Sequence, residues 1–361
     1  GVDAALMRLM ALAGLEADIF RFGLQGGFDP DDAPAVAERL LAARRLFKER
    51  EMSGDQDVVE PFDEAHYNEQ ATIGQNLLFG VAIGQTFAPQ NLAQNRLVSQ
   101  LLEDTGLDKP LIALGRGIAE TMVEIFRGLP ADHPFFAQYS FIAAADLPHY
   151  ETLLARLEAG QPPTPDQRAK LLGLAFAYSE ARHRLGLLDQ PMRAQLLAAR
   201  HLFHQRLPQH ERAKIAFYDA DQYNEAASVE DNILFGRVVY GAPNAQVRIE
   251  AILAGVIEEL GLKGDIARIG LGFACGAAGK RLTPSQRQRV ALARALAKDP
   301  DLLVVNGALA VLDPHAQAEI MKRVLAARAG RGVVWTLAPG QDGAAFEALV
   351  TFEGGRLAGG A

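Results

Sequence analysis

Cysteine is almost missing from this chain of 361 residues: Cys275 stands alone. A lone thiol cannot close an internal disulfide or build a multi-thiolate zinc or iron–sulfur site. Such scarcity suits a reducing compartment. Long apolar runs are missing too. No stretch reaches the ~18 apolar residues that a membrane-spanning helix needs. Nor does a basic start followed by an apolar stretch and a small-residue cleavage site mark a secretory signal. Positive charge is in deficit, with 36 Lys and Arg against 44 Asp and Glu and a formal net charge of −8. No long basic run stands out, which disfavours nucleic acid or an anionic membrane surface as partner. What remains is ordinary globular material, 49% hydrophobic and 22% charged. It is enough for two domains, or for one large domain with an insertion. The sequence opens at Gly1 with no methionine, which reads as a segment of a longer protein, a processed start or an expression scar.

The chain repeats itself. Residues 39–50 (RLLAARRLFKER) and 195–206 (QLLAARHLFHQR) are identical at eight of twelve positions. Residues 67–80 (YNEQATIGQNLLFG) and 223–236 (YNEAASVEDNILFG) are identical at eight of fourteen. Both pairs are 156 residues apart, and chance likeness between two helices would not keep a second, distant block at the same offset. The expectation is two homologous units, 1–160 and 170–361. A proline-rich linker over 161–169 joins them, since Pro162, Pro163 and Pro165 fix φ and remove donors. Thr164 or Asp166 could cap the helix that follows.

Apolar spacing predicts helices at about 3–19, 33–50, 91–105, 150–159, 191–207, 245–260, 284–298 and 314–329. On the 191–207 helix, Leu196, Leu197, Arg200, Leu202 and Phe203 follow the mixed three-and-four spacing of an amphipathic face. Short apolar runs at 302–305, 332–337 and 348–352 read as strands. Alternation of strands with helices predicts a helix-rich α/β fold with a mainly parallel sheet.

The stretch 282–314, LTPSQRQRVALARALAKDPDLLVVNGALAVLDP, resembles the nucleotide-binding domain of ATP-binding cassette (ABC) transporters. Leu282-Thr283-Pro284-Ser285-Gln286 stands where the family has its Leu-Ser-Gly-Gly-Gln signature, followed by the signature helix. Asp301 through Asn306 lies on the Walker B strand, and Leu312-Asp313-Pro314 matches the end of the D-loop. Residues 346–357 resemble the last strand and turn, and Asn232 through Gly236 the block after the Q-loop of ABC exporters. The resemblance covers 223–361, and through the repeat it extends weakly over 60–160. It implies an ABC-ATPase-like fold, ATP and Mg²⁺ as the family's cofactors, and a composite site in which the signature of one domain caps the γ-phosphate held by its partner. Thr283, Ser285, Gln286 and Asp313 are the nucleotide-contact candidates that it implies.

The departures from the family pattern point away from hydrolysis. The phosphate loop GxxxxGK[ST] cradles phosphates with its amides and supplies a lysine and a Mg²⁺-binding hydroxyl; it occurs nowhere in 1–361. Gly276 through Arg281 (GAAGKR) has the wrong glycine spacing and reads as a loop leading into a helix. Asn306 replaces the Walker B aspartate and lacks the charge that holds Mg²⁺. Gly307 replaces the glutamate that polarises water and has no side chain to act as base. Ala338 takes the place of the switch histidine, and Pro284 and Ser285 replace two signature glycines. The Q-loop glutamine has no clear counterpart, with Gln222 nearby. In the first unit, Gly117 through Thr121 stands near the signature position and Tyr139 near the Walker B carboxylate, and Ala145 through His149 is similar to Leu312 through His315.

Other residues draw blander readings. His201 and His204 share a helix at a spacing that could hold a metal, but no third ligand accompanies them; they read as a solvated helix face, and no metal site is expected. Arg287, Arg289 and Arg294 could steer phosphate or form a solvated face. Asp313 could touch a partner domain or cap the helix beginning at Pro314. Cys275 reads as a small buried residue, and the repeated Tyr67-Asn68-Glu69 and Tyr223-Asn224-Glu225 as helix entry and packing. The leading expectation is a catalytically degenerate, pseudo-ATPase region of an ABC exporter-type transporter with a structural or regulatory role. It would lie at the cytoplasmic side of the membrane and pair with a transmembrane domain, a second nucleotide-binding domain or a second copy of itself. One alternative is the second half of a domain whose P-loop precedes Gly1 and which still binds ATP. Another is a soluble protein-interaction module that takes no nucleotide.

Overall fold

The computed structural model describes residues 2–54, 56–130, 132–134, 136, 142–337, 341 and 343–358. Two compact units emerge, residues 27–262 and residues 1–26 with 263–361. These units follow packing and cut the chain at other places than the sequence repeat does. The proline-rich stretch lies inside the first unit. There Thr164 accepts a hydrogen bond from the Gln167 amide and the Gln167 side chain accepts one from the Thr164 amide, so Thr164, not Asp166, caps the helix Pro165–Ala177.

Within residues 27–262, four very short strands pair across the sequence: β1 (Val59–Pro61), β2 (Gly80–Ala82), β3 (Ile215–Phe217) and β4 (Gly236–Val238). β1 runs antiparallel to β4 with Glu60 opposite Arg237, and β2 antiparallel to β3 with Val81 opposite Ala216. Each strand of the 59–82 region therefore takes its partner from the 215–238 region. The helices Ile73–Leu78 and Val229–Leu234 set this up. Thr72 and Ser228 cap their starts, and Phe79 and Phe235 end them in the left-handed region at φ 47° and 41°, turning the chain straight into β2 and β4. A bulky aromatic held there is strained, and the surrounding packing must hold it. The unit's core gathers Leu111, Ile118, Phe126, Leu153, Leu171 and Phe203. The helix Asp108–Phe126 buries Leu111, Leu114, Gly115, Ile118, Ala119, Met122, Val123 and Phe126, a stripe with the three-and-four spacing of an amphipathic helix. At Gly115 the helix Pro165–Ala177 comes so near that an added Cβ would lie 2.0 Å from the Leu171 carbonyl oxygen.

The other unit holds the helices Val2–Leu12, Glu16–Gln25, Lys263–Leu271, Pro284–Leu296 and Pro314–Ala327. β5 (Leu302–Val305) and β6 (Gly332–Trp335) run parallel, and the helix Pro314–Ala327 lies between them in sequence. β7 (Phe352–Glu353) and β8 (Arg356–Leu357) form a hairpin. Leu15, Ile19, Leu292, Leu303, Val305, Ile320 and Val324 make its core.

Several expectations need correction. The expected mainly parallel sheet is absent from the described residues. They form four two-stranded sheets, of which only β5–β6 is parallel. The helix expected at 3–19 is two, because Gly14 at φ +73° breaks it. The helix expected at 91–105 starts at Arg96, where Asn95 accepts bonds from the amides of Leu97 and Val98. Of the strand expected at 348–352, only Phe352 is paired. Ala338 and Tyr139 lie outside the described residues.

Candidate functional site

The signature-like residues enter a helix under a capping box. The Thr283 hydroxyl accepts from the Gln286 amide at 3.2 Å, and the Thr283 amide donates to Gln286 Oε1 at 2.9 Å. Pro284 at the first turn has no amide to offer. The Gln286 Nε2 donates to Asp18 Oδ1 at 2.8 Å, and Arg289 pairs with Asp18 Oδ2 at 2.8 Å while also donating to the Gly14 carbonyl. Thr283 and Gln286 are thus engaged within the unit, and Ser285 is half-buried. Arg289 is held, whereas Arg287 and Arg294 are exposed, so the three arginines do not act as one cluster. Asp18→Ala removes a largely buried carboxylate that two donors share. We expect it to destabilise the chain by about 2 kcal/mol, read as a lower urea midpoint at unchanged slope.

The loop before this helix turns its donors inward. The amides of Gly279, Lys280, Arg281 and Leu282 donate to the carbonyls of Gly276, Ala277, Cys275 and Gly279. A phosphate-cradling loop needs those amides pointing outward. Cys275 is exposed here, with Sγ 3.5 Å from the Phe273 carbonyl oxygen, which corrects its reading as a buried residue. It sits in a loop rather than on a packed face.

At the end of β5, Asn306 is exposed, and its Oδ1 lies 3.2 Å from the Thr336 hydroxyl, which follows β6. The same hydroxyl accepts from the Gly307 amide at 2.9 Å. Gly307, at φ +59°, supplies backbone alone. Asp313 Oδ1 accepts from the Ala316 amide at 2.9 Å and caps the helix Pro314–Ala327. Gly117 through Thr121 falls inside the helix Asp108–Phe126, away from any helix start. Among the described residues no cluster of three or more His, Cys, Asp and Glu could hold a metal ion. His204 is part-buried with Nε2 2.9 Å from the Leu78 carbonyl oxygen, which corrects its reading as part of a solvated face, and burial lowers its pKa.

The sequence blocks that recur at offset 156 build a different kind of site in residues 27–262, one that sequence reasoning missed. Arg200, with no exposed surface, donates from Nε to the Asn76 carbonyl (2.7 Å) and from Nη2 to Asn76 Oδ1 (2.7 Å). Its Nη1 donates to the carbonyls of Asp63, Glu64 and His66 at 3.0–3.3 Å. Arg44 does the same with Asn232, at 2.8 and 3.1 Å, and with the carbonyls of Asp219, Ala220 and Gln222. Every partner of Arg200 lies 156 residues before the matching partner of Arg44. Burial lowers both guanidinium pKa values to about 10, which leaves them charged at neutral pH. Each planar fork satisfies backbone acceptors that a lysine could not span. Asn76 Oδ1 also accepts from the Asn68 amide and Asn232 Oδ1 from the Asn224 amide. Asn68 and Asn224 of the retained Tyr-Asn-Glu blocks therefore stiffen these loops, and Gln222 contributes its carbonyl to the brace. The signal lay in the sequence: an arginine retained in both copies on an otherwise apolar helix face.

Comparison with known proteins gives partial matches. The chain is 31% identical over 146 residues to the heterocyst differentiation ATP-binding protein HepA of Nostoc sp., covering 40% of this chain and 23% of that protein. It is 34% identical over 127 residues to the energy-coupling factor transporter ATP-binding protein EcfA1 of Symbiobacterium thermophilum, covering 35% and 40%. It is 35% identical over 109 residues to the phosphonates import ATP-binding protein PhnC 1 of Rhodopseudomonas palustris, covering 30% and 38%. The chain thus spans less than half the length of each of these relatives. No family model and no solved structure matches. Over part of its length the chain is similar to ABC transporter ATP-binding proteins and carries a region like their nucleotide-binding domain.

Proposed function

We propose that this chain is a catalytically degenerate, pseudo-ATPase region of an ABC exporter-type transporter, with a structural or regulatory role. It would pair with a transmembrane domain, a second nucleotide-binding domain or a second copy at the cytoplasmic side of the membrane. The observation that carries this reading is the end of β5. There a neutral amide, Asn306, is tied to Thr336, and Gly307 offers no base. A Mg²⁺ hydration shell needs a carboxylate there, and attack by water needs a proton acceptor. The residues present do not fit Mg-ATP as the family holds it: the 279–282 amides, Thr283 and Gln286 already have partners within the fold. Among the described residues, no helix is long and apolar enough to cross a membrane. On this reading residues 1–160 and 170–361 are two homologous units joined by 161–169, and the matched braces of Arg44 and Arg200 support that descent.

The purified chain should release no inorganic phosphate from Mg-ATP above a protein-free control. Turnover that disappears in Asn306→Ala or Ser285→Ala would overturn the proposal. Calorimetry with ATP alone reports separately whether nucleotide still binds: a measurable heat with no turnover would restrict the degeneracy to the chemical step.

A further inference from the structure

Between the two arginine braces lies a continuous layer of rings. The Arg44 guanidinium sits 4.2 Å above the Phe235 ring and that of Arg200 4.6 Å above Phe79. Phe62 and Tyr218 stack on each other at 3.9 Å with planes 9° apart. Both present edges to Phe79 and Phe235, with centroids 5.6–6.3 Å apart and planes near 90°. The backbone crosses at the same place: the Phe62 amide donates to the Phe235 carbonyl and the Tyr218 amide to the Phe79 carbonyl, each at 3.0 Å. Beyond each brace is a loop, 63–66 or 219–222, whose carbonyls point inward to an arginine while its side chains are exposed.

We propose that Arg44, Phe235, Phe62, Tyr218, Phe79 and Arg200 form one two-state element, so that the loops 63–66 and 219–222 loosen and tighten together. Packed rings pass a displacement on, because closely filled interiors switch between arrangements rather than deform gradually. Losing one guanidinium frees its ring. That ring supports the central stack, and the stack supports the other ring. A partner touching either exposed loop would then be felt at the other. This inference makes no use of nucleotide and stands or falls independently of the proposed function.

Hydrogen exchange on the full chain tests it through two buried amides, Asn68 behind the Arg200 brace and Asn224 behind the Arg44 brace. Arg200→Lys should lower protection at both by about tenfold or more, with both amides remaining less protected than that of Ile118 in the core of the same unit. A loss at Asn68 alone, or protection at Asn224 equal to that at Ile118, overturns the proposal. Adding Phe62→Leu should confine the effect of Arg200→Lys to Asn68, and persistence at Asn224 contradicts the stack as the link. If Arg200→Lys does not fold, the unaltered chain in rising denaturant decides. Asn68 and Asn224 should follow one opening isotherm below that of Ile118. Separate isotherms, or merger with Ile118, refute the coupling.

Discussion

Replacing Arg200 by alanine is expected to lower the stability of the chain by at least about 3 kcal/mol. Arg200 has no exposed surface and donates to five acceptors: two on Asn76 and one each on Asp63, Glu64 and His66. Removing it takes a donor from the buried Asn76 carbonyl and from the part-buried carbonyls of Glu64 and His66, and a buried acceptor left unpaired costs ~1–3 kcal/mol. The loss also strips a cation from the Phe79 face, worth ~0.5–2 kcal/mol. Water entering the vacated space would recover part of this cost, which is why the figure lies well below the summed maximum. Urea unfolding measures it, and a change below ~1 kcal/mol would contradict this account of the brace. Arg44→Ala should behave alike, since Arg44 is 5% exposed and makes the matching set of bonds.

Gly115→Ala should be comparably damaging, by about 3 kcal/mol. The new Cβ would lie 2.0 Å from the Leu171 carbonyl oxygen, and that obstacle is backbone. No rotamer change relieves it, so two core helices must separate; overpacking of this kind costs ~1–3 kcal/mol or more. Gly270→Ala in the other unit meets the Ile19 carbonyl oxygen at 1.9 Å and should cost as much. Gly117→Ala is the control. Its nearest neighbour is a Leu187 methyl at 3.6 Å, and alanine gains ~1 kcal/mol of helix propensity over glycine. This variant should be neutral or more stable. Thermal midpoints compare all three, and a drop for Gly117→Ala matching that of Gly115→Ala would refute close helix approach as the cause.

What the sequence discloses and what it hides divide along physical lines. Helices whose starts carry proline and a capping side chain were legible, such as Pro284–Leu296 behind Thr283 and Pro314–Ala327 behind Asp313. So were β5 and β6, whose apolar runs are long enough to show. The helix Asp108–Phe126 was missed because Pro110, Gly115 and Gly117 interrupt its pattern, although two of them tolerate the helix and Gly115 is required by packing. β1 to β4 are three residues each, too short for any period to appear, and their pairing depends on partners more than 130 residues away. In the candidate site, the lack of a charge at Asn306 and of a side chain at Gly307 is readable from identity alone. Asp18 was not, because nothing in its own neighbourhood predicts that it would tie down Gln286 and Arg289.

The crossed pairing of β1 with β4 and of β2 with β3 also sets a clock during synthesis. When residues 59–82 leave the ribosome, the strands, the Arg200 fork and the Tyr218 ring that complete them are still unmade. At ~5–20 residues per second, the interval of about 156 residues takes roughly 8–30 seconds. For that time Phe62, Phe79 and the carbonyls of Asp63, Glu64 and His66 face solvent without partners. Slowing translation between residues 82 and 215 would lengthen this exposure.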